Sequence, residues 1–208
     1  MYLCTKLFVM DLKERIVAES RKMFIKFGIR SVTMDMVAKQ LGVSKRTIYE
    51  NFSDKDQLIE CCIVEGMREQ IRINEEIVSS SQNIIEVTFK FINNSINTFN
   101  AINPLFFYDI EKYYPELWSK KIVENDNQNI DRIIELLNKG VQDAIFRKEI
   151  NVKIVAMLIL EQFKLMGNNE LFSNQTFSRV EVFENIVINF IRGIATMKGL
   201  QMIDRYSC

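Results

Sequence analysis

The stretch Val32–Phe52, VTMDMVAKQLGVSKRTIYENF, decides the fold. Read outward from Gly42, it is two short helices on either side of a tight turn. Thr33 brings a hydroxyl that can cap a helix over about Met34 to Leu41. Met34, Val37, Ala38 and Leu41 recur there at the spacing of one buried face. Gly42 ends that helix with a residue free to take a left-handed backbone. Ser44 is placed to cap the next helix, about Lys45 to Asn51, whose inner side holds Ile48 and Phe52. Ala38 is small where the two helices must cross closely, and Val43 fills the angle between them. Thr33 to Phe52 thus reads as a helix-turn-helix. Its outer side presents Lys45, Arg46, Thr47 and Asn51, and a DNA major groove admits one such helix, the N-terminal residues of which read base edges.

The flanks extend the helical pattern. Upstream, Ile16, Ser20, Met23, Phe24 and Phe27 make one face of a helix over about Asp11 to Phe27, with Gly28 following as a terminating glycine. Downstream, Asp54 is set to cap a long helix from Lys55 towards Ser79, and Ser79–Asn83 is a polar connector. Ile84 to Ala101 reads as helix, Asn103-Pro104 interrupts it, and a short aromatic segment, FFYDIEKYYPELW, follows. Further helices are expected over about Glu116 to Lys139, closed by Gly140, then Val152 to Gly167 and Ser178 to Met197. Only 2 prolines and 7 glycines punctuate 208 residues, which disfavours a turn-rich sheet fold. The expected fold is all-α, with about nine helices: a DNA-binding domain over 1–54 and a helical body over 55–208.

Charge and composition narrow the function. Formal net charge is zero, yet between Arg21 and Arg46 the basic residues Arg21, Lys22, Lys26, Arg30, Lys39, Lys45 and Arg46 face the single acid Asp35. One basic end suits an anionic partner, and a solvated helix face accounts for it equally well. Histidine is absent, which removes most zinc sites and catalytic triads, and no glycine-rich phosphate loop occurs. No catalytic residue, cofactor or metal is expected. Cys4, Cys61, Cys62 and Cys208 form no C-x-x-C pair, as in a reduced cytoplasmic protein. Cys61 and Cys62 leave two readings open, a thiol sensor or buried inert thiols. The apolar run Leu7–Met10 is too short to span a membrane.

The N-terminal runs MFIKFG, VTMDMVAKQLGVS, KRTIYENF and SDKDQLI resemble the TetR family of bacterial repressors over roughly the first 60 residues. The continuation Tyr49, Phe52, Lys55 and Leu58 makes the resemblance specific. It implies that Thr33, Ser44, Tyr49 and Lys55 clamp phosphates, through hydroxyls, helix N-terminal amides and an ammonium. The Tyr49 ring could instead pack inward. Lys45, Arg46 and Thr47 are the implied base readers, with Asn51 beside them. Arg46 departs from the small residue common at its position, and its guanidinium suits either a guanine or a phosphate.

The body resembles that family in length and helical layout. The resemblance implies a homodimer through the last two helices, which carry Ile154, Met157, Leu158 and Glu161-Gln162 on one, and Phe183, Ile186, Val187, Phe190 and Ile191 on the other. These stripes also suit an ordinary core. The aromatic cluster Phe106, Phe107, Tyr108, Tyr113, Tyr114 and Trp118, completed by Met157, Phe163 and Met166, is the candidate pocket for a small-molecule effector, with inter-helix packing the alternative for each residue. The partners implied are a double-stranded DNA operator of palindromic sequence, a second copy of the chain and an unidentified effector that releases the DNA, with no membrane involved. Control by a protein partner, or none, is the alternative.

Overall fold

A computed structural model describes residues 11–166, 171–172 and 176–206. Among these residues there are eleven α-helices and no strand, in keeping with the all-α expectation. They fall into two compact units. One holds the chain up to Arg72 together with Ala101–Trp118, and the other holds Ile73–Asn100 and the chain from Ser119 onward.

The first unit is built on the expected helix-turn-helix. Helices α1 (Leu12–Phe27), α2 (Met34–Leu41) and α3 (Lys45–Asn51) are followed by α4 (Lys55–Ser79). The local signals act as expected. Thr33 Oγ1 accepts from the Met36 amide at 3.2 Å, and Ser44 Oγ accepts from the Thr47 amide at 3.0 Å, each satisfying a donor the helix leaves open. Asp54 accepts from the Gln57 amide at 2.8 Å, and that bond holds its carboxyl below the usual carboxylate range. Gly42 takes φ 69° and ψ 29°, the left-handed conformation that turns α2 into α3. Ile16, Phe24, Val37, Ala38, Ile48, Phe52 and Leu58 are buried together. Phe27, by contrast, is exposed, with the Lys26 ammonium 5.1 Å above its ring.

The aromatic segment forms a helix of its own, α6 (Pro104–Tyr113), after α5 (Ile84–Ala101). Its Ile110 is buried in the same core as α1 to α4. Asn103 fixes its start, with its side chain capping Leu105 N at 2.9 Å while its own amide donates to the Ile25 carbonyl at 2.9 Å.

The second unit gathers Ile85, Leu137, Phe146, Ala156, Phe183, Val187, Ile191 and Ile203 around one core. Helix α7 (Pro115–Gln142) runs past Gly140, which lies inside it. A Cβ on Gly140 would stand 2.5 Å from the Phe146 ring, so this glycine allows close packing and does not stop the helix. Helix α8 (Val152–Met166) is as expected. The next helix begins as α9 (Arg179–Phe183), passes through a π-helical turn (Glu184–Ile188) and ends as α10 (Asn189–Ile194). It stops short of the expected Met197 because the chain around Ala195 pairs with another segment. Arg147 N donates to Ile194 O at 3.0 Å and Thr196 N to Ile145 O at 2.9 Å. Thr196 Oγ1 then accepts from Gly199 N at 3.2 Å and opens α11 (Met197–Tyr206), a helix the periodicity did not separate. No helix of the described residues is long and apolar enough to cross a membrane.

Candidate nucleic-acid interface

The outward surface of α2, the turn and α3 carries most of the residues expected to meet DNA. Thr33, Ser44, Lys45, Arg46 and Tyr49 are exposed, and Thr47 and Asn51 are half-buried. Tyr49 points its ring outward at 45% exposure, so it does not serve the core. Two helix N-termini, at Thr33 and Ser44, open onto this surface with their first amides partly unpaired, and such amides receive phosphate oxygens well.

The cations here are already engaged. Lys45 Nζ lies 3.0 Å from Asp35 Oδ1, and that hydrogen-bonded carboxylate raises the lysine's pKa. Arg46 Nε donates to Glu50 Oε1 at 2.8 Å, one turn along α3. Both pairs are solvent-exposed, and such pairs add little to the stability of the fold. Asn51 turns its side-chain amide back to the Thr47 carbonyl at 2.8 Å. The Arg46–Glu50 pair was open to sequence reasoning as a four-residue spacing on a helix. Asp35 and Lys45 sit on different helices, so no local spacing pairs them.

Lys55 is placed differently. Its ammonium donates to the Ile29 carbonyl at 2.7 Å, and burial holds its pKa below the ordinary lysine value against the pull of Asp109 and Asp56. It therefore ties the start of α4 to the loop after α1.

That loop is also held by α6. Asp109 is 5% exposed and accepts from the Arg30 amide at 2.9 Å. The Arg30 guanidinium lies 4.8 Å above the Tyr113 ring and donates to its hydroxyl at 2.8 Å. Tyr114 donates to Asp56 at the start of α4 over 2.8 Å, and burial with that bond pushes its phenol above the usual range. No pattern in the sequence announced these ties, since Arg30 and Asp109 are 79 residues apart.

The candidate pocket residues are accordingly distributed between two bodies. Phe106, Phe107, Tyr108, Tyr113 and Tyr114 belong to the first unit, where Phe106 and Tyr114 pack against the helix-turn-helix core. Met157 and Phe163 belong to the second, Met157 exposed and Phe163 edge-on to Phe183 at 6.1 Å. The side chains of Trp118 and Met166 lie outside the described residues. Of the residues expected at a dimer face, Ile154, Met157 and Leu158 of α8 are exposed. Phe183, Val187 and Ile191 are buried in the core of their own chain, while Ile186 and Phe190 sit half-buried at its edge. The thiols are unlike each other: Cys62 is buried, which pushes its pKa up to about 12, and Cys61 is half-buried.

Comparison with known proteins agrees with this geometry. Residues 16–62 match the family model described as bacterial regulatory proteins, tetR family. Over 182 residues, 87% of this chain and 94% of the relative, the sequence is 26% identical to the uncharacterized HTH-type transcriptional regulator YvaF of Bacillus subtilis. The fold resembles a transcriptional regulator from Cytophaga hutchinsonii at TM-score 0.69 and 18% identity, covering 88% of this chain and 98% of that one. It also resembles a TetR-family regulator from Agrobacterium tumefaciens at TM-score 0.69 and 14% identity, covering 88% and 97%.

Proposed function

We propose that the chain is a DNA-binding transcriptional regulator of the TetR family, acting as a homodimeric repressor that grips a palindromic operator and lets go when a small molecule binds its body. In this reading residues 1–54 are the reading head and 55–208 the body. Lys45, Arg46 and Thr47 face the bases, joined by Asn51 once it releases its own backbone. Thr33, Ser44 and Tyr49 hold phosphates. Lys55 adds its charge from behind the interface, where it keeps the head's loop in place.

The observation that carries this reading is the surface of α2 and α3, where two hydroxyl-capped helix N-termini and the outward Tyr49 share one face with Lys45 and Arg46. A second copy is supported by α8, where Ile154, Met157, Leu158 and Leu165 lie exposed at helical spacing. Large aliphatics grouped on one exposed face usually mark an interface. Two heads are needed because one covers a single half-site, and half-sites lie about 34–36 Å apart. Release requires the effector to favour the conformation that does not fit DNA.

Selection of binding sites from random duplex DNA at fixed salt tests the proposal. The expected product is a two-fold symmetric sequence, bound by a dimer, with operator affinity weakened but still measurable in Arg46→Ala and Tyr49→Phe variants that still fold. Binding that shows no sequence preference at any salt would refute it.

A further inference from the structure

The DNA-facing side of α3 includes a carboxylate. Arg46 is 88% exposed and Glu50 57%, and they are joined only through Nε of the arginine, at 2.8 Å. The two terminal amines of Arg46 have no partner among the described residues. A negative group on a surface that meets a polyanion weakens binding unless it serves selection. A guanidinium offers alternative edges for paired hydrogen bonds, and here Glu50 occupies the one that includes Nε. What remains outward is the terminal fork, whose two parallel N–H bonds match guanine O6 and N7. Without Glu50, the same long side chain would be free to swing to the nearest phosphate and bind every sequence alike. Lys45 and Asp35 differ in kind: the ammonium is a point charge with no edges, so Asp35 sets no direction for it.

We infer that Glu50 is a specificity-determining residue, which positions Arg46 to read guanine and opposes its capture by phosphate. This rests on the reading of α3 as the DNA-contacting helix.

The test uses the full chain, the operator selected by the wild-type protein, a scrambled duplex of equal length, and the operator with 7-deazaguanine, which lacks the N7 acceptor, in place of guanine. Glu50→Ala is expected to bind scrambled DNA more tightly and to lower the operator-to-scrambled ratio about tenfold. Its salt dependence should steepen by about one unit per protomer, as Arg46 gains a phosphate. The loss of affinity on 7-deazaguanine substitution should shrink in Glu50→Ala. Glu50→Gln keeps an acceptor for Nε and should preserve that loss. In an Arg46→Ala background, removing Glu50 should leave the ratio within about twofold, because the positioned group is gone. An unchanged ratio in Glu50→Ala overturns the inference, as does a change that persists without Arg46. An equal fall in the ratio with Asp35→Asn also overturns it, since charge alone would then be acting. If the wild-type protein selects no sequence, the reading of α3 itself fails. A sequence preference that survives Glu50→Ala undiminished removes only the role of Glu50.

Discussion

Replacing Gly28 by alanine tests whether the junction between α1 and α6 is as tightly constrained as its geometry indicates. Gly28 has φ 81° and ψ 157°, a backbone region open essentially to glycine alone. Strain of that kind costs about 1–3 kcal/mol. An added Cβ would also stand 3.1 Å from Leu105 Cβ and 3.3 Å from Asp109 Oδ2. Leu105 Cβ is fixed to the backbone of α6, and Asp109 is held by the Arg30 amide, so neither yields easily. Overpacking of this sort adds about 1–3 kcal/mol. The expected loss is therefore about 2–6 kcal/mol. Gly42 supplies the comparison, because it is left-handed at φ 69° and a Cβ added there would meet nothing within 4 Å. Alanine there should lose about 1–2 kcal/mol, and asparagine less, since asparagine tolerates that conformation. Urea unfolding followed by circular dichroism measures both losses, and hydrogen exchange at the Arg30 amide reports the junction directly. The reasoning is refuted if Gly28→Ala costs no more than Gly42→Ala, or if asparagine recovers stability at 28 as it does at 42.

Three further outcomes are expected. Lys55→Met should destabilise the fold by about 1–3 kcal/mol, because it removes a charged donor from the Ile29 carbonyl, and should change the salt slope of DNA binding little; a slope lower by a full unit with stability intact would make Lys55 a direct phosphate contact instead. Cys62 should resist iodoacetamide in the folded protein at pH 8 while Cys61 reacts faster, as peptide mass spectrometry can resolve, and equal rates would contradict its burial. The Cys62 pKa is raised on folding to about 12, so its contribution to stability is complete below the unfolded thiol value and is lost as pH climbs above it towards the folded value. Met157→Glu combined with Leu158→Lys, on the exposed face of α8, should leave the helical signal intact and shift sedimentation from dimer to monomer, with operator affinity falling at least about a hundredfold if half-sites are bound cooperatively. A variant that remains a dimer would move the interface elsewhere.

The DNA-binding end was legible in the sequence because its determinants are local. A capping hydroxyl acts three residues ahead, a left-handed glycine acts on its own backbone, and one buried face repeats with the helical period, so Thr33, Gly42, Ser44, Ile48 and Phe52 carried their roles on the page. The same locality explains Asp54 at the start of α4.

Only the tertiary structure decided which distant residues meet. Aromatic residues on α6 suit a pocket and a core equally in sequence, and what places Phe106 and Tyr114 against the helix-turn-helix core is the packing of Ile110 and the bond from the Arg30 amide to Asp109, across 79 residues. Phe183, Val187 and Ile191 have the spacing of an interface stripe, but the same spacing serves the interior, and the surrounding helices bury them. The break at Ala195 depends on pairing with residues 145–147, and the position of the Lys55 ammonium on a carbonyl 26 residues away. Periodicity states that a face is apolar and a cap states where a helix begins. Which partner covers that face is settled by long-range contacts whose free energy exists only once the chain has folded.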